Sequence, residues 1–184
     1  KAFATLGQNY AAAYESAVTD GKPRKDSAAS PQNKASSEFA TSAARNVLSR
    51  VMGEEKAKTI TLETLAQLDG RDVYEYQSSE GQLIVRGSSP VAMCRGAYDY
   101  LRANNMGTVG WAGPRLRIPE AWPDAAQKRV ETPFRIRHCY NVCTAGYTFP
   151  YWAWQRWEQE LDWLAMHGYN MIMAPIGTEA VATK

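Results

Sequence analysis

Between Phe134 and Pro175 the hydrophobic period of the sequence changes twice, and that change leaves few ways to fold. In "FRIRHCYNVC" the side chains alternate, so a strand sets Ile136, His138, Tyr140 and Val142 on one face and Arg137, Cys139, Asn141 and Cys143 on the other. From Pro150 to His167 the period is helical. Trp154, Trp157, Leu161 and Leu164 form the expected buried stripe, with Glu158, Glu160 and Asp162 mostly outward. Gly168 supplies a left-handed stop, and "YNMIMAP" (169–175) is an apolar run short enough for a strand covered on both sides. Strand, helix and strand in this order predict two parallel strands joined by a crossover helix.

In such units ligands gather where the loops leave the carboxyl ends of the strands. Asn141 and Cys143 end the first strand, and Gly177, Thr178 and Glu179 lie just past the second. Each has a simpler reading beside the functional one. Glu179 fits a solvated loop carboxylate, and Asn141 fits a side chain bonded to a neighbouring strand end.

Upstream, residues 1–19 carry apolar side chains at helix-like intervals, and 20–34 ("DGKPRKDSAASPQNK") read as a linker, so 1–35 are expected to hold a short helix and a flexible connection. Ala40, Ala44, Val47, Leu48 and Val51 make one helical stripe between Ser36 and Gly53. Three strand-like runs follow, "TITLETL" (59–65), "DVYEYQS" (72–78) and "QLIVRGS" (82–88), the last two set up as a hairpin by Glu80-Gly81. Ser89-Pro90 opens a second helix with Val91, Cys94, Tyr98 and Leu101 on one face, and residues 107–119 read as two short strands. Residues 36–130 thus predict a small mixed α/β domain. The polar, proline-bearing stretch 120–133 reads as the connection to the unit that begins near 131.

Composition removes several functions. Twenty-one basic residues against 19 acidic ones give a net charge of +2 without a basic patch, so nucleic acid is not an expected partner. No run approaches the length of a membrane span, and the N-terminus lacks the pattern of a secretory signal. The three cysteines are too few for a disulfide scaffold. Cys139, Cys143 and His138 fall short of the four ligands of a zinc site, because the other histidine, His167, lies in a different segment. Cys143 as a nucleophile lacks a base, with His138 on the opposite strand face. No glycine-rich loop follows a strand and opens a helix, which disfavours a nucleotide-binding unit.

The series Asn141-Val142-Cys143-Thr144, Arg156-Trp157-Glu158, Asp162-Trp163, Gly168-x-Asn170 and Gly177-x-Glu179-Ala180, with the tryptophan-rich helix start, resembles the beginning of the catalytic barrel in glycoside hydrolase family 89, the α-N-acetylglucosaminidases. The segment from roughly 36 to 130 is similar, more weakly, to the small domain that precedes that barrel. The resemblance implies an α/β fold, a mixed domain followed by the first βαβ unit of an incomplete (β/α)8 barrel. It implies removal of terminal α-linked N-acetylglucosamine from glycans with retention, through two glutamates on later strands beyond position 184. Retention places two carboxyl groups about 5–5.5 Å apart, and neither belongs to this chain. Asn141, Cys143 and Glu179 match positions of the subsite for the terminal sugar. No metal or cofactor is implied.

The expected partners are therefore a glycan ending in N-acetylglucosamine and the remainder of a parent chain, since a complete barrel takes about 250 residues. The implied setting is secreted, periplasmic or lysosomal, with the signal absent from this chain. The ending "AVATK" departs from the apolar continuation of the family, as an artificial or nicked terminus would. The rival expectation is a non-catalytic carbohydrate-binding or interaction module, with Trp152, Trp154 and Trp157 as a flat stacking platform.

Overall fold

The computed structural model describes residues 31–141 and 143–173. The chain divides into two units, 1–34 and 35–184, and apart from the first residues of its opening helix the description below concerns the second. The expected helix at 1–19 lies outside the described residues.

Helix α1 (Pro31–Met52) starts earlier than its apolar stripe suggests, because proline suits a first helical turn and Pro31 lies inside the stretch read as linker. It buries Ala44, Leu48 and Val51. Short helix α2 (Glu54–Lys58) leads into strand β1 (Ile60–Thr64). Strands β2 (Val73–Ser79) and β3 (Gln82–Gly87) form the expected hairpin. Glu80 and Gly81 both have positive φ, 53° and 74°, the backbone a two-residue turn needs to match the twist of its strands.

Helix α3 (Pro90–Ala103) begins as Ser89-Pro90 predicts. The Ser89 hydroxyl accepts from the Ala92 amide at 3.1 Å. It lies across β2 and β3, burying Met93, Cys94, Ala97, Tyr98 and Leu101. Gly87 permits this approach, since a Cβ there would stand 2.5 Å from the Met93 amide nitrogen. Strands β4 (Gly107–Gly110) and β5 (Gly113–Leu116) make a separate hairpin with Trp111 at its tip.

Residues 120–133 are not a connection. Strand β6 (Ala125–Glu131) pairs antiparallel with β2 and completes a four-stranded sheet of order β1-β3-β2-β6, in which β1 and β3 are parallel. Before it, Trp122 is buried against Tyr100 and donates from Nε1 to Thr59 Oγ1 at 2.9 Å. An edge strand with most of its side chains in water carries a polar sequence, which is why it reads as a linker.

The last segment contains strand β7 (His138–Cys139), short helix α4 (Thr144–Tyr147), helix α5 (Trp154–Met166) and strand β8 (Met171–Ile172). β7 and β8 are parallel, as predicted. The helix between them starts at Trp154 rather than Pro150. It ends as predicted: Gly168 has φ 83°, and the amides of Gly168 and Tyr169 return to Ala165 O and Leu164 O at 3.0 Å. The expected stripe is only partly right. Leu164 is buried, but Trp154 and Leu161 are exposed, whereas Glu160 and Asp162 are buried. The cause is a second contact face: α5 packs on α3, and Asp162 meets Arg50 of α1. Among the described residues no helix is long and apolar enough to cross a membrane.

Candidate functional site

The parallel register His138↔Met171 and Cys139↔Ile172 sends the chain out of both strands on the same edge. Asn170 helps set that register. Its Oδ1 accepts from the Arg137 amide and its Nδ2 donates to Arg135 O, both at 2.8 Å. Arg137, placed by sequence on a polar strand face, donates to Gly168 O at 2.5 Å and pairs with the buried carboxylate of Asp72, tying β7 to the four-stranded sheet.

The strand ends sooner than its alternation predicts. Tyr140 has φ 72°, a conformation that breaks the pleat, so Asn141 and Cys143 leave a turn rather than a strand face. Asn141 is exposed, and its side-chain oxygen accepts from the Thr144 amide at 3.2 Å and hydroxyl at 3.0 Å. The simpler expectation for this residue, a bond to a neighbouring strand end, is not what its oxygen makes: both bonds stay within its own turn. Cys143 is exposed just before α4. The structure thus brings Asn141 and Cys143 together in one turn past β7. Glu179 lies outside the described residues.

Beneath that turn runs a set of packed rings. Phe149, fully buried, meets Tyr140 at 5.0 Å, Trp152 at 4.6 Å and Trp157 at 4.7 Å. Trp152 and Trp157 lie at 72° to each other, an edge-to-face pair. Rings so inclined do not make the flat platform that a carbohydrate-binding module would need, and Trp154, expected in the core, faces outward.

Sequence reasoning missed the charged residues behind the rings. The Arg156 guanidinium sits 4.1 Å from the Trp152 ring centre and 4.7 Å from that of Trp111, and its Nη2 is 2.8 Å from the buried carboxylate of Glu160. The spacing of four between Arg156 and Glu160 was the available signal. Burial pushes the Glu160 carboxyl up to about 7 and, with the Glu160 charge second, raises the Cys139 thiol. Cys94 is raised to about 12 by burial and serves as core.

Comparison with known proteins gives these features a context. The model of the "Alpha-N-acetylglucosaminidase (NAGLU) N-terminal domain" matches residues 42–124, and that of the "Alpha-N-acetylglucosaminidase (NAGLU) tim-barrel domain" matches 137–184. Human alpha-N-acetylglucosaminidase is 37% identical over 144 residues, 76% of this chain and 19% of its own length. A family 89 glycoside hydrolase from Clostridium perfringens, solved in complex with 2-acetamido-1,2-dideoxynojirmycin, superimposes with a TM-score of 0.75 at 31% identity, covering 83% of this chain and 18% of that one. A structure of the Clostridium perfringens protein with PUGNAc gives a TM-score of 0.73 at 29% identity, covering 87% and 20%. The chain spans about a fifth of the length of these relatives. Two models of one family, matched in order along a chain that also shares the fold of its solved members, place the chain among the α-N-acetylglucosaminidases of glycoside hydrolase family 89, to whose N-terminal portion it belongs.

Proposed function

We propose that this chain is the N-terminal part of an enzyme that hydrolyses terminal α-linked N-acetylglucosamine from glycans with retention, its two catalytic glutamates lying on later strands outside this chain. In this reading residues 36–130 are an accessory α/β domain, and 131–184 open an incomplete (β/α)8 barrel with its first βαβ unit. The carrying observation is the parallel β7–α5–β8 unit in the segment matched by the barrel model, with Asn141 and Cys143 in the turn past the carboxyl end of its first strand. A Clostridium perfringens relative carrying two glutamate-to-glutamine substitutions was solved with its substrate GlcNAc-alpha-1,4-galactose, at a TM-score of 0.71 and 32% identity. That pair of substitutions fits a mechanism run by two carboxyl groups.

The residues of this chain contribute binding. Asn141 donates from its NH2 to a sugar hydroxyl while Thr144 holds its oxygen, Cys143 packs against the ring, and Glu179 accepts from hydroxyls. The partners are the glycan and the remainder of the parent chain, and this chain alone does not hydrolyse.

The test is activity of the longer parent protein on a chromogenic α-N-acetylglucosaminide, with NMR of the first-formed anomer to read retention. Asn141→Ala should lower kcat/KM by about tenfold for a lost hydrogen bond to substrate, and Cys143→Ala should lower it through lost packing against the ring. Wild-type kinetics in both variants would reject the pocket assignment.

A further inference from the structure

In the turn that carries Asn141 and Cys143 the described hydrogen bonds are local, running from the Thr144 amide and hydroxyl to the Asn141 side-chain oxygen. Helix α4 is four residues long, too short to stand without tertiary contacts. Between it and α5 the backbone bonds are local: Thr148 N to Thr144 O at 3.0 Å and Trp152 N to Phe149 O at 3.0 Å. The position of this segment therefore comes from its rings, and those rings lead back to the N-terminal α/β layer.

We infer that the β4–β5 hairpin, through Trp111 and Arg156, positions the turn that carries the sugar-binding residues, so that Trp111 and Arg156 are positioning residues for the activity proposed above, on which this inference rests. The path is continuous. Trp111 stands at the hairpin tip with its ring centre 6.4 Å from that of Trp152 and the planes inclined by 44°. The Arg156 guanidinium occupies the corner these rings form, over both faces, and is held from a third side by Glu160. Trp152 packs on Phe149, Phe149 on Tyr140, and Tyr140 precedes Asn141 in a left-handed conformation that depends on its surroundings.

The residue types suit the task. A guanidinium is planar and weakly hydrated, so it lies against indole faces where an ammonium keeps its water. Trp111 is 52% exposed, so its ring is placed more for its contacts with Arg156 and Glu160 than for burial. That exposure also means that replacing it removes little core.

The test uses the full-length parent protein, with Trp111→Ala, Trp111→Phe and Arg156→Lys measured by steady-state kinetics on a chromogenic α-N-acetylglucosaminide and by amide hydrogen exchange. The expected result for Trp111→Ala is a KM raised about tenfold with kcat within about twofold of wild type, the signature of lost substrate binding. Exchange should quicken across residues 144–152 while strands β2 and β3 stay protected. Trp111→Phe, which keeps a ring face, should restore most of the KM. Arg156→Lys, which keeps the charge beside Glu160 and loses the plane, should not. Wild-type KM and exchange in Trp111→Ala would overturn the inference, as would loosening of β2 and β3 together with the turn, which marks a general loss of stability. If the wild-type parent hydrolyses no α-N-acetylglucosaminide, the functional reading fails separately, and the exchange measurement still decides whether the hairpin holds the turn.

Discussion

Arg50 and Asp162, 112 residues apart, meet in a two-point ion pair: Nε lies 2.7 Å from Oδ2, and Nη2 lies 2.6 Å from Oδ1. Arg50 is the last basic residue of α1, and Asp162 sits in the middle of α5, so the pair bridges the α/β layer and the βαβ unit. The Asp162 side chain is only 8% exposed while that of Arg50 is 39% exposed, which makes the two ends unequal. Arg50→Ala leaves a buried carboxylate without its partner and should cost about 2 kcal/mol, below the figure for a fully buried pair because water reaches the guanidinium. Replacing both at once, Arg50→Met with Asp162→Leu, should recover most of that loss. Urea denaturation of the single and double variants measures it, and a double variant weaker than Arg50→Ala alone would contradict the account.

Trp122 yields a second prediction, because it lies in the stretch that reads as a linker and is 2% exposed. Its ring packs edge-on against Tyr100 at 5.8 Å and lies under Lys56 Nζ at 4.2 Å. Trp122→Ala should destabilise the α/β layer by about 3–5 kcal/mol, the range for truncating a large buried ring. Trp122→Phe keeps the packing, loses the bond to Thr59, and should cost distinctly less. Thermal unfolding of both variants distinguishes them, and equal midpoints would show that the ring does not anchor the segment.

Arg50, Asp162 and Trp122 mark where the sequence was and was not legible. Periodicity and turn chemistry exposed the β2–β3 hairpin through Glu80-Gly81, the start of α3 through Ser89-Pro90 and the end of α5 through Gly168, since each depends on backbone preferences local to a few residues. Strand β6 was illegible because its side chains face water at a sheet edge, and pairing with β2 is a tertiary fact. The α5 stripe misled for a related reason. A helix clasped on two sides buries Asp162 beside Arg50, a partner 112 residues away that no helical period reveals, and Glu160 beside Arg156, whose spacing of four was the one local signal. At the candidate site, Asn141 and Cys143 were visible as polar groups at a strand end, whereas the Tyr140 backbone and the bonds from Thr144 that define their setting were not.

The cysteines separate by exposure and environment. Cys143 is exposed, Cys139 is partly covered and raised by burial and by Glu160, and Cys94 is fully buried and raised to about 12. Since the thiolate is the reacting species, a disulfide reagent at pH 8 should modify Cys143 fast, Cys139 slowly and Cys94 only on unfolding. Cys143→Ala should remove the fast phase and leave the others. A fast phase that survives in that variant would mean that the turn past β7 is arranged differently.

Glu160 makes stability depend on pH with a sign opposite to that of an ordinary ion-paired carboxylate. Its side chain is fully buried, its oxygens lack well-directed hydrogen bonds among the described residues, and the Trp111 side chain beside it offsets burial only in part. Arg156 Nη2 stands 2.8 Å from Oε2 but off the directions of a hydrogen bond, so burial prevails and the folded-state carboxyl titrates near 7 rather than 4.5. Between those two values the unfolded chain releases its proton first, so stability should fall as pH rises from 4.5 through 7 and level off above it. Glu160→Gln removes the titration. The variant should match wild type near pH 4 and exceed it at pH 8, as read from urea midpoints at pH 4, 6 and 8. A wild-type advantage that grows with pH would instead mean that the Arg156 charge outweighs burial, and the carboxylate would then be an ionised partner in the cluster under the turn.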